Sequence, residues 1–165
     1  MKKRTEENGS LVNDWETPLY VKVYLWRKFF VGCKEVFDPC PLKASFDGLS
    51  IPWGRANFIN PPYTLALKEA FIKKALEESK LEKLCVLLIP SSTDSEIFHE
   101  VIVPNGRVEL IKGRISFRGV NTKGELVDSA CGQTGSMFVI FGRRWKPVIT
   151  TVDLNEEARN VNING

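Results

Sequence analysis

The sequence predicts an α/β fold with helices on both faces of a reduced sheet and an antiparallel hairpin near the C-terminus. Three observations support this prediction. Segments with helical periodicity alternate with short apolar runs along the chain. Residues 84–89 are continuously apolar, as expected for a strand that is covered on both faces. Residues 108–117 and 136–142 alternate between apolar and polar side chains well enough to pair as antiparallel strands.

The first half of the chain contains two predicted helices and two short predicted strands. A helix is expected after Pro18, because apolar side chains recur there at helical spacing. Residues 36–38 and 57–59 are the two short predicted strands. Thr64 is a candidate cap for the second helix, which is expected to reach about Ser79 with an apolar stripe on one side.

The second half is predicted to contain one more helix and the remaining strands. Thr93 and Glu96 have the spacing of a capping box, which predicts a helix through about Val101. Residues 148–152 are the last predicted strand. Residues 11–154 are expected to form a single domain, and the polar segments 1–10 and 155–165 are expected to be flexible tails.

Composition limits the classes of function. The 165 residues carry a formal net charge of +3, which permits binding to a polyanion without requiring it. No apolar run reaches the roughly 18 to 20 residues of a membrane span, and the first residues lack the apolar core of a signal peptide. We therefore expect a cytoplasmic protein with no membrane partner. The four cysteines have no paired or zinc-like spacing, so reduced thiols and no metal site are expected.

The tetrapeptide Asn60-Pro61-Pro62-Tyr63 is the most specific motif in the chain. The side-chain oxygen of Asn60 and the carbonyl of Pro61 can accept the two hydrogens of an amino group, which makes its nitrogen a better nucleophile. The two prolines stiffen the turn, and Tyr63 offers a flat face on which an extruded base can stack. The alternative is a turn that merely ends a strand.

The chain resembles the phage-type DNA N6-adenine methyltransferases, the Dam-like family, from Trp15 to about Phe141. The landmarks occur in the same order in both. They are Asp14-Trp15-Glu16-Thr17-Pro18, Phe37-Asp38-Pro39-Cys40, Asp47-Gly48-Leu49 followed by Trp53, Asn60-Pro61-Pro62-Tyr63, Leu87-Leu88-Ile89-Pro90, Thr93-Asp94, Phe98-His99 and Gly113-Arg114-Ile115-Ser116-Phe117. The resemblance implies a Rossmann-like methyltransferase sheet, S-adenosylmethionine as cofactor and DNA as partner. It also suggests a phage origin, in which case the protein would act in the host cytoplasm.

The spacing between two landmarks predicts a cut-down sheet. Only 21 residues separate Asp38 from Asn60, whereas each strand and its crossover needs about 30 residues. The two units that ordinary Rossmann-like methyltransferases place there cannot fit. We therefore expect the strand ending at Asp38 to lie directly beside the strand ending at Asn60. The cofactor site would then borrow walls from the loop 41–53, from the N-terminal helix, or from the second subunit of a possible homodimer.

The resemblance also implies a set of cofactor-binding residues. Asp38, within Asp38-Pro39-Cys40, would hold the amino end of the methionine moiety, although the glycines that normally follow are absent. Trp15, Thr17 and Pro18 would close over the same end, and Asp47 would contact the ribose hydroxyls or a nearby polar group. The alternatives are that Asp38 and Asp47 cap turns and that Trp15 and Trp53 belong to the core.

The dipeptide Pro39-Cys40 allows another interpretation, because cytosine carbon-5 methyltransferases use a Pro-Cys nucleophile. We favour a cofactor-segment role for Cys40, since amino-group methylation requires no thiolate.

Two groups of residues are candidates for contact with DNA. Thr93, Asp94 and His99 follow a predicted strand and by resemblance line the base pocket, with helix capping as the alternative for the first two. The second group is the most basic and aromatic part of the C-terminal half, Arg114, Arg118, Lys123, Arg143, Arg144 and Lys146 with Trp145 among them. Residues 119–135 look like a long polar loop, and we expect sequence readout there.

The sequence is compatible with three functions. The leading hypothesis is DNA adenine methylation. The second is methylation of an RNA adenine or a protein glutamine, since the same tetrapeptide serves those reactions. The third is a non-catalytic nucleic-acid-binding or host-interaction protein descended from a methyltransferase. The short spacing between Asp38 and Asn60, which shortens the cofactor-binding part of the sheet, is consistent with this third hypothesis.

Overall fold

The computed structural model describes residues 14–41, 44–62, 64–120, 126–131 and 134–157. Two sheets and several helices lie in this part of the chain. In order, the elements are β1 (Asp14–Glu16), α1 (Leu19–Lys28), β2 (Ala56–Ile59), α2 (Leu65–Lys80), β3 (Leu84–Pro90), a π-helical turn (Phe98–Ile102), α3 (Val103–Asn105), β4 (Arg107–Ile111), β5 (Ser116–Val120), β6 (Leu126–Cys131), β7 (Ser136–Phe141) and β8 (Val148–Val152). The predicted tails lie largely outside the described residues.

The main sheet is mixed and has the strand order β2-β3-β7-β4-β8. Strand β3 is parallel to β2, β7 is antiparallel to both of its neighbours, and β8 is parallel to β4. The predictions of strands at β2, β3 and β8 and of helices at α1 and α2 are confirmed. Because β3 and β7 are buried along most of their length, they form the centre of the fold.

Helices pack on both faces of this sheet, as predicted. Alternate residues of β3 point to opposite faces. Val86 and Leu88 belong to the core that includes Val21 and Leu25 of α1. Leu87 and its neighbours of the same parity belong to the core formed by α2 and the π-helical turn. The continuous apolar run of β3 is therefore explained by burial on both sides.

The predicted strand at residues 36–38 is reduced to a single bridge. Phe37 pairs in parallel with Asn57 of β2. Its N–H donates to the Ala56 carbonyl at 2.8 Å, and its carbonyl accepts from the Phe58 N–H at 3.0 Å. The expectation that this segment lies directly beside β2 is confirmed. It extends no further because Pro39 has no N–H to donate.

The predicted antiparallel hairpin near the C-terminus is only partly correct. Strands β4 and β7 do pair antiparallel, but residues 108–117 do not form one strand. Gly113 has φ +80° and turns the chain away after β4. Strand β5 then joins β1 and β6 in a separate sheet of order β1-β5-β6. The segment 119–135, interpreted as a loop, therefore contains β6 and the end of β5.

The helix predicted from the capping box is present but begins two residues later than expected: the chain is helical from Glu96 to Asn105, with the π-helical turn in its middle. Thr93 and Asp94 lie in the turn that precedes this helical stretch. The hydroxyl of Ser95 donates to the Ser92 carbonyl at 2.8 Å. Thr64 does occupy the cap position of α2, but its side chain forms no capping hydrogen bond.

A buried carboxylate ties α1 to the main sheet. Glu109 of β4 is fully buried and accepts a hydrogen bond from the Tyr24 hydroxyl at 2.5 Å. Lys28 and Arg107 contact its Oε1 at 2.9 and 3.0 Å. Burial, together with the hydrogen bond to Glu109, raises the pKa of Tyr24 well above its usual range. The network fixes the position of α1, and Thr17 and Pro18 directly precede that helix.

None of the helices that the structure describes is long and apolar enough to cross a membrane. Cys33, Cys40 and Cys85 carry free thiols, as expected. The side chain of Cys131 lies outside the described side chains.

Candidate active site

The candidate site lies at the edge of the main sheet where the parallel strands end, here called the carboxyl edge. Asn60 follows the last residue of β2, and β3 ends at Pro90. Ile59 pairs with Leu87, so β3 continues three residues beyond the end of β2 at this edge. In an open α/β sheet this edge is the usual place for a ligand.

Asn60 is buried and held in one orientation. Its amide nitrogen Nδ2 donates a hydrogen bond to Oγ1 of Thr17 at 3.1 Å, and the two side chains are only 5% and 6% exposed. Because an amide is planar, this bond directs Oδ1 away from Thr17. Pro61 and Pro62 are also buried, so the turn is stiff and enclosed. Tyr63 lies outside the described residues.

Asp38 is half-buried at the same edge and caps a turn. Its Oδ1 accepts the N–H of Cys40 at 2.9 Å. The parallel bridge at Phe37 places this turn beside the end of β2. Among the described residues, Asp38 makes no salt bridge, so the charge of its carboxylate is available to a ligand. Pro39 and Cys40, which follow Asp38 in the chain, are both buried.

The loop carrying Asp47 packs tightly against the Asp38 turn. A Cβ at Gly48 would stand 1.8 Å from the carbonyl oxygen of Pro39, so the two backbones touch there. The Trp53 indole donates to the Gly48 carbonyl at 2.7 Å and holds the loop in place. Asp47 itself is exposed and caps its own turn, accepting from Leu49 N–H at 3.0 Å. Trp53 is 4% exposed and stacks on Phe71, which confirms the core alternative for this tryptophan.

The remaining residues of the expected cofactor group are on β1 and just after it. Trp15 pairs through its backbone with Gly119 of β5, and its side chain lies outside the described side chains. Thr17 is buried against Asn60, as above. Pro18 is half-buried and starts α1.

Thr93, Asp94 and His99 follow β3 on the carboxyl edge and are all exposed. The His99 ring packs edge-to-face on Phe98, with 5.4 Å between ring centroids. The described residues form no pocket that encloses the side chains of Thr93, Asp94 and His99.

The basic residues fall into two groups on opposite edges of the sheet. Arg114 is exposed and follows β4 on the carboxyl edge, and Arg118 lies in β5 opposite Glu16. Arg143 and Arg144 follow β7, which runs the other way, so they lie at the far edge. Cys85, the second residue of β3, pairs with Phe141 there.

The far-edge group also has local partners. Arg143 forms an exposed salt bridge with Glu82 at 2.6 Å. Lys146 is exposed, but Trp145 is half-buried and packs on Phe29, with the Arg107 guanidinium over its ring. Lys123 and the side chain of Arg118 lie outside what the structure describes.

Among the described thiols, Cys40 and Cys85 show no sign of activation. Cys40 is only 5% exposed. Burial raises the pKa of the Cys85 thiol to about 12, although a hydrogen bond from Asn57 lowers it. A thiolate at Cys85 is therefore disfavoured at neutral pH.

Sequence reasoning missed one residue of this region, Lys68. It lies in α2 one turn after the tetrapeptide and is only 8% exposed. With Phe71, Ile72 and Ala75 it occupies the buried stripe of the helix. The spacing i, i+3, i+4, i+7 could have revealed it as a lysine on an apolar face.

Comparison with known proteins gives one match. A family model described as DNA N-6-adenine-methyltransferase (Dam) matches residues 4–163, nearly the whole chain. No curated protein and no solved structure matches at a significant level.

Proposed function

The chain belongs to the DNA N-6-adenine-methyltransferase (Dam) family, and from this premise we propose that it methylates the amino nitrogen of a flipped adenine in DNA with S-adenosylmethionine as donor. The proposed catalytic turn is Asn60-Pro61-Pro62-Tyr63. The observation that supports it best is the buried hydrogen bond from Asn60 to Thr17 at the carboxyl edge.

In this proposal Asn60 acts by positioning and by electrostatics. Oδ1 of Asn60 and the carbonyl of Pro61 accept the two N–H bonds of the adenine amino group. These contacts draw the nitrogen lone pair out of conjugation with the ring. Since the Asn60 amide is already anchored by Thr17, little reorganisation is needed when the base arrives.

S-adenosylmethionine supplies an electrophilic methyl group on a sulfonium. The amino nitrogen forms the new N–C bond as the C–S bond breaks, which releases S-adenosylhomocysteine, and the extra proton on nitrogen passes to solvent. No protein nucleophile is needed, in agreement with the burial of Cys40.

The described residues fit the methionine end of such a donor. Asp38 offers a half-buried carboxylate without a salt bridge among these residues, and an ammonium group is its natural partner. Thr17 and Pro18 lie at the start of α1, where they can cover that end. Trp15, Pro39, Cys40 and Asp47 complete the proposed cofactor group.

We propose that DNA approaches the carboxyl edge. A duplex must release the adenine from its stack, and Tyr63 would then face the extruded base. Arg114, Arg118 and Lys123 would contact phosphates, and Thr93, Asp94 and His99 would border the base. Arg143 and Arg144 lie at the far edge, so they are weaker candidates for the same DNA segment.

The non-catalytic alternative is favoured by one observation, the reduction of the segment at Phe37 to a single bridge. A protein that had lost the reaction would be expected to have a reduced cofactor-binding region of this kind. Binding of S-adenosylmethionine separates this alternative from an enzyme.

The test is to incubate the protein with isotope-labelled S-adenosylmethionine and unmethylated DNA, RNA or protein. The modified product is then digested and identified by mass spectrometry. We expect labelled N6-methyladenine from DNA, lost in Asn60→Ala. Asn105→Ala, at an exposed asparagine on α3, is the matched control. Absence of label in every substrate, with no donor binding by calorimetry, would contradict the proposal.

A further inference from the structure

Strand β8 has an unpaired outer side, which is the side away from β4. It is the last strand of the main sheet, and no strand of the described residues lies beyond it. The strand at the opposite end of the sheet, β2, is bridged on its outer side by Phe37. All residues of β8 (Val148–Val152) are β-branched and uncharged, and Val148 and Ile149 are 42% and 48% exposed. A strand of this kind is a template for pairing with another chain.

The hydrogen bonds to β4 identify the backbone groups on the outer side of β8. The carbonyl of Val152 accepts the N–H of Lys112 at 2.8 Å, so the backbone of Val152 faces β4. Along a strand, the N–H and C=O of one residue point to the same side, and successive residues point to opposite sides. Thr150 therefore also faces β4, whereas Ile149 and Thr151 direct their N–H and C=O groups away from it.

The two ends of β8 carry opposite charges. The basic end, before the strand, consists of Arg143, Arg144 and Lys146, and the acidic end, after it, consists of Asp153, Glu156 and Glu157. The exposed side chains of Lys146 and Glu156 form no salt bridge with the residues that the structure describes. If a second β8 runs antiparallel, the basic end of each strand meets the acidic end of the other. A parallel arrangement would bring like charges together.

We propose that β8 is a dimerisation surface and that its partner is a second copy of this chain, paired antiparallel about a two-fold axis at Thr150. In this register, Ile149 lies opposite Thr151 of the second copy, and each such pair exchanges N–H···O=C hydrogen bonds. A register that brings Pro147 into the pairing loses a donor, because proline has no N–H. The interface is isologous, and it joins the two main sheets into one.

The charge pattern favours a second copy over DNA at this surface. The basic end of β8 would attract a phosphate backbone, but the acidic end would repel it. The contact between two five-residue strands is small, below the roughly 1,200 Å² of a standard interface. We therefore expect a dissociation constant of about 1 to 100 µM.

Sedimentation velocity of the full chain, without DNA or donor, tests the proposal over about 1 to 300 µM protein. We expect a concentration-dependent equilibrium between monomer and dimer. Lys146→Glu and Glu156→Lys should each weaken the dimer by at least about tenfold, because the two-fold axis places like charges together at both ends. Lys73→Glu is the control, since it makes the same charge change at an exposed lysine on α2. It should leave the equilibrium unchanged.

Mixing the two variants provides the sharper test. In a mixed dimer of Lys146→Glu with Glu156→Lys, opposite charges meet at both ends of the paired strands. An equimolar mixture should therefore dimerise with an affinity close to that of the original protein. Both changes are at exposed side chains, and thermal melting checks that each variant is folded.

Amide hydrogen exchange followed by NMR locates the contact on β8. In dilute solution, the N–H groups of Ile149 and Thr151 should exchange fast, and that of Thr150 should exchange slowly because it faces β4. In concentrated solution, the N–H groups of Ile149 and Thr151 should become protected as the dimer forms.

Three results would overturn the inference. The first is a chain that stays monomeric up to about 300 µM. The second is slow exchange of Ile149 and Thr151 in dilute solution, since another segment of the same chain would then cover the strand. The third is a mixture of the two variants that fails to dimerise. None of these measurements depends on methylation, so a protein that dimerises through β8 and methylates nothing would contradict only the proposed function.

Discussion

Asn60 Nδ2 donates a hydrogen bond to Thr17 Oγ1 at 3.1 Å, joining two buried side chains that are 43 positions apart in the chain. This bond connects the segment before α1, which the resemblance assigns to the cofactor, with the proposed catalytic turn. Because Glu109 fixes α1 on the main sheet through Tyr24 and Lys28, the position of Thr17 is set by the core.

We expect Thr17→Val to lower kcat by about 10- to 100-fold, because it removes the acceptor that orients the Asn60 amide. Thr17→Ser keeps the hydroxyl and should remain within a few-fold of the original protein. Steady-state kinetics measure both. A KM for the donor that rises with unchanged kcat would instead indicate that Thr17 contacts the donor and does not position Asn60.

Gly48→Ala should disrupt the contact between the two loops of the proposed cofactor site. The added Cβ would stand 1.8 Å from the Pro39 carbonyl oxygen, so one backbone must move. We expect donor affinity to fall by at least about tenfold, with a loss of stability of about 1 to 3 kcal/mol. Calorimetry and thermal melting measure the two effects.

The control for this change is Gly142→Ala. Its nearest side-chain neighbour is Leu84, at 3.4 Å from an added Cβ, which is ordinary contact. Equal donor affinity in the two variants would show that the Pro39–Gly48 contact has no part in donor binding.

Glu78 should contribute to the pH dependence of stability. Burial alone raises its pKa, but hydrogen bonds from Lys83 and Lys74 outweigh this effect and hold the pKa below its ordinary value of 4.5. A carboxyl whose pKa is lower in the folded state stabilises the protein fully above pH 4.5. That stabilisation is lost as the pH falls through the folded-state pKa.

We therefore expect Glu78→Gln to lower the free energy of unfolding by about 2 kcal/mol at pH 7. The difference from the original protein should shrink as the pH falls below 4.5. Urea denaturation at a series of pH values measures it. Glu77→Gln is the control on the same helix, because its ion pair with Lys80 is exposed and worth little. A difference that stays constant down to pH 3 would contradict the assignment.

The parts of the fold that the sequence predicts are those determined by burial along one segment. The apolar run of β3 and the apolar stripe of α2 each predict the secondary structure of their own segment. Such a pattern depends only on the burial of that segment and not on which part of the chain covers it. The position of Asn60 at the end of β2 follows from the same reasoning.

Contacts between distant short segments could not be predicted. Strand β1 has three residues and pairs with β5 about 100 positions later, so no local pattern marks it. Strand β6 includes Asp128 and Ser129, which resemble a loop until pairing with β5 is known. The Thr17–Asn60 bond depends on the docking of α1, and Lys68 was missed because a lysine is normally assigned to the exposed side of a helix.

The last prediction concerns the side on which DNA binds. Arg114 and Arg144 are both exposed, but they lie at opposite edges of the main sheet. If DNA approaches the carboxyl edge, Arg114→Ala should weaken binding of a duplex and reduce the slope of log affinity against log salt by about 1. Arg144→Ala removes the same charge from the far edge and should change affinity less than about twofold. Fluorescence anisotropy at several salt concentrations distinguishes them. The reverse order of effects would place DNA at the edge away from Asn60, where the proposed turn could not reach a flipped base.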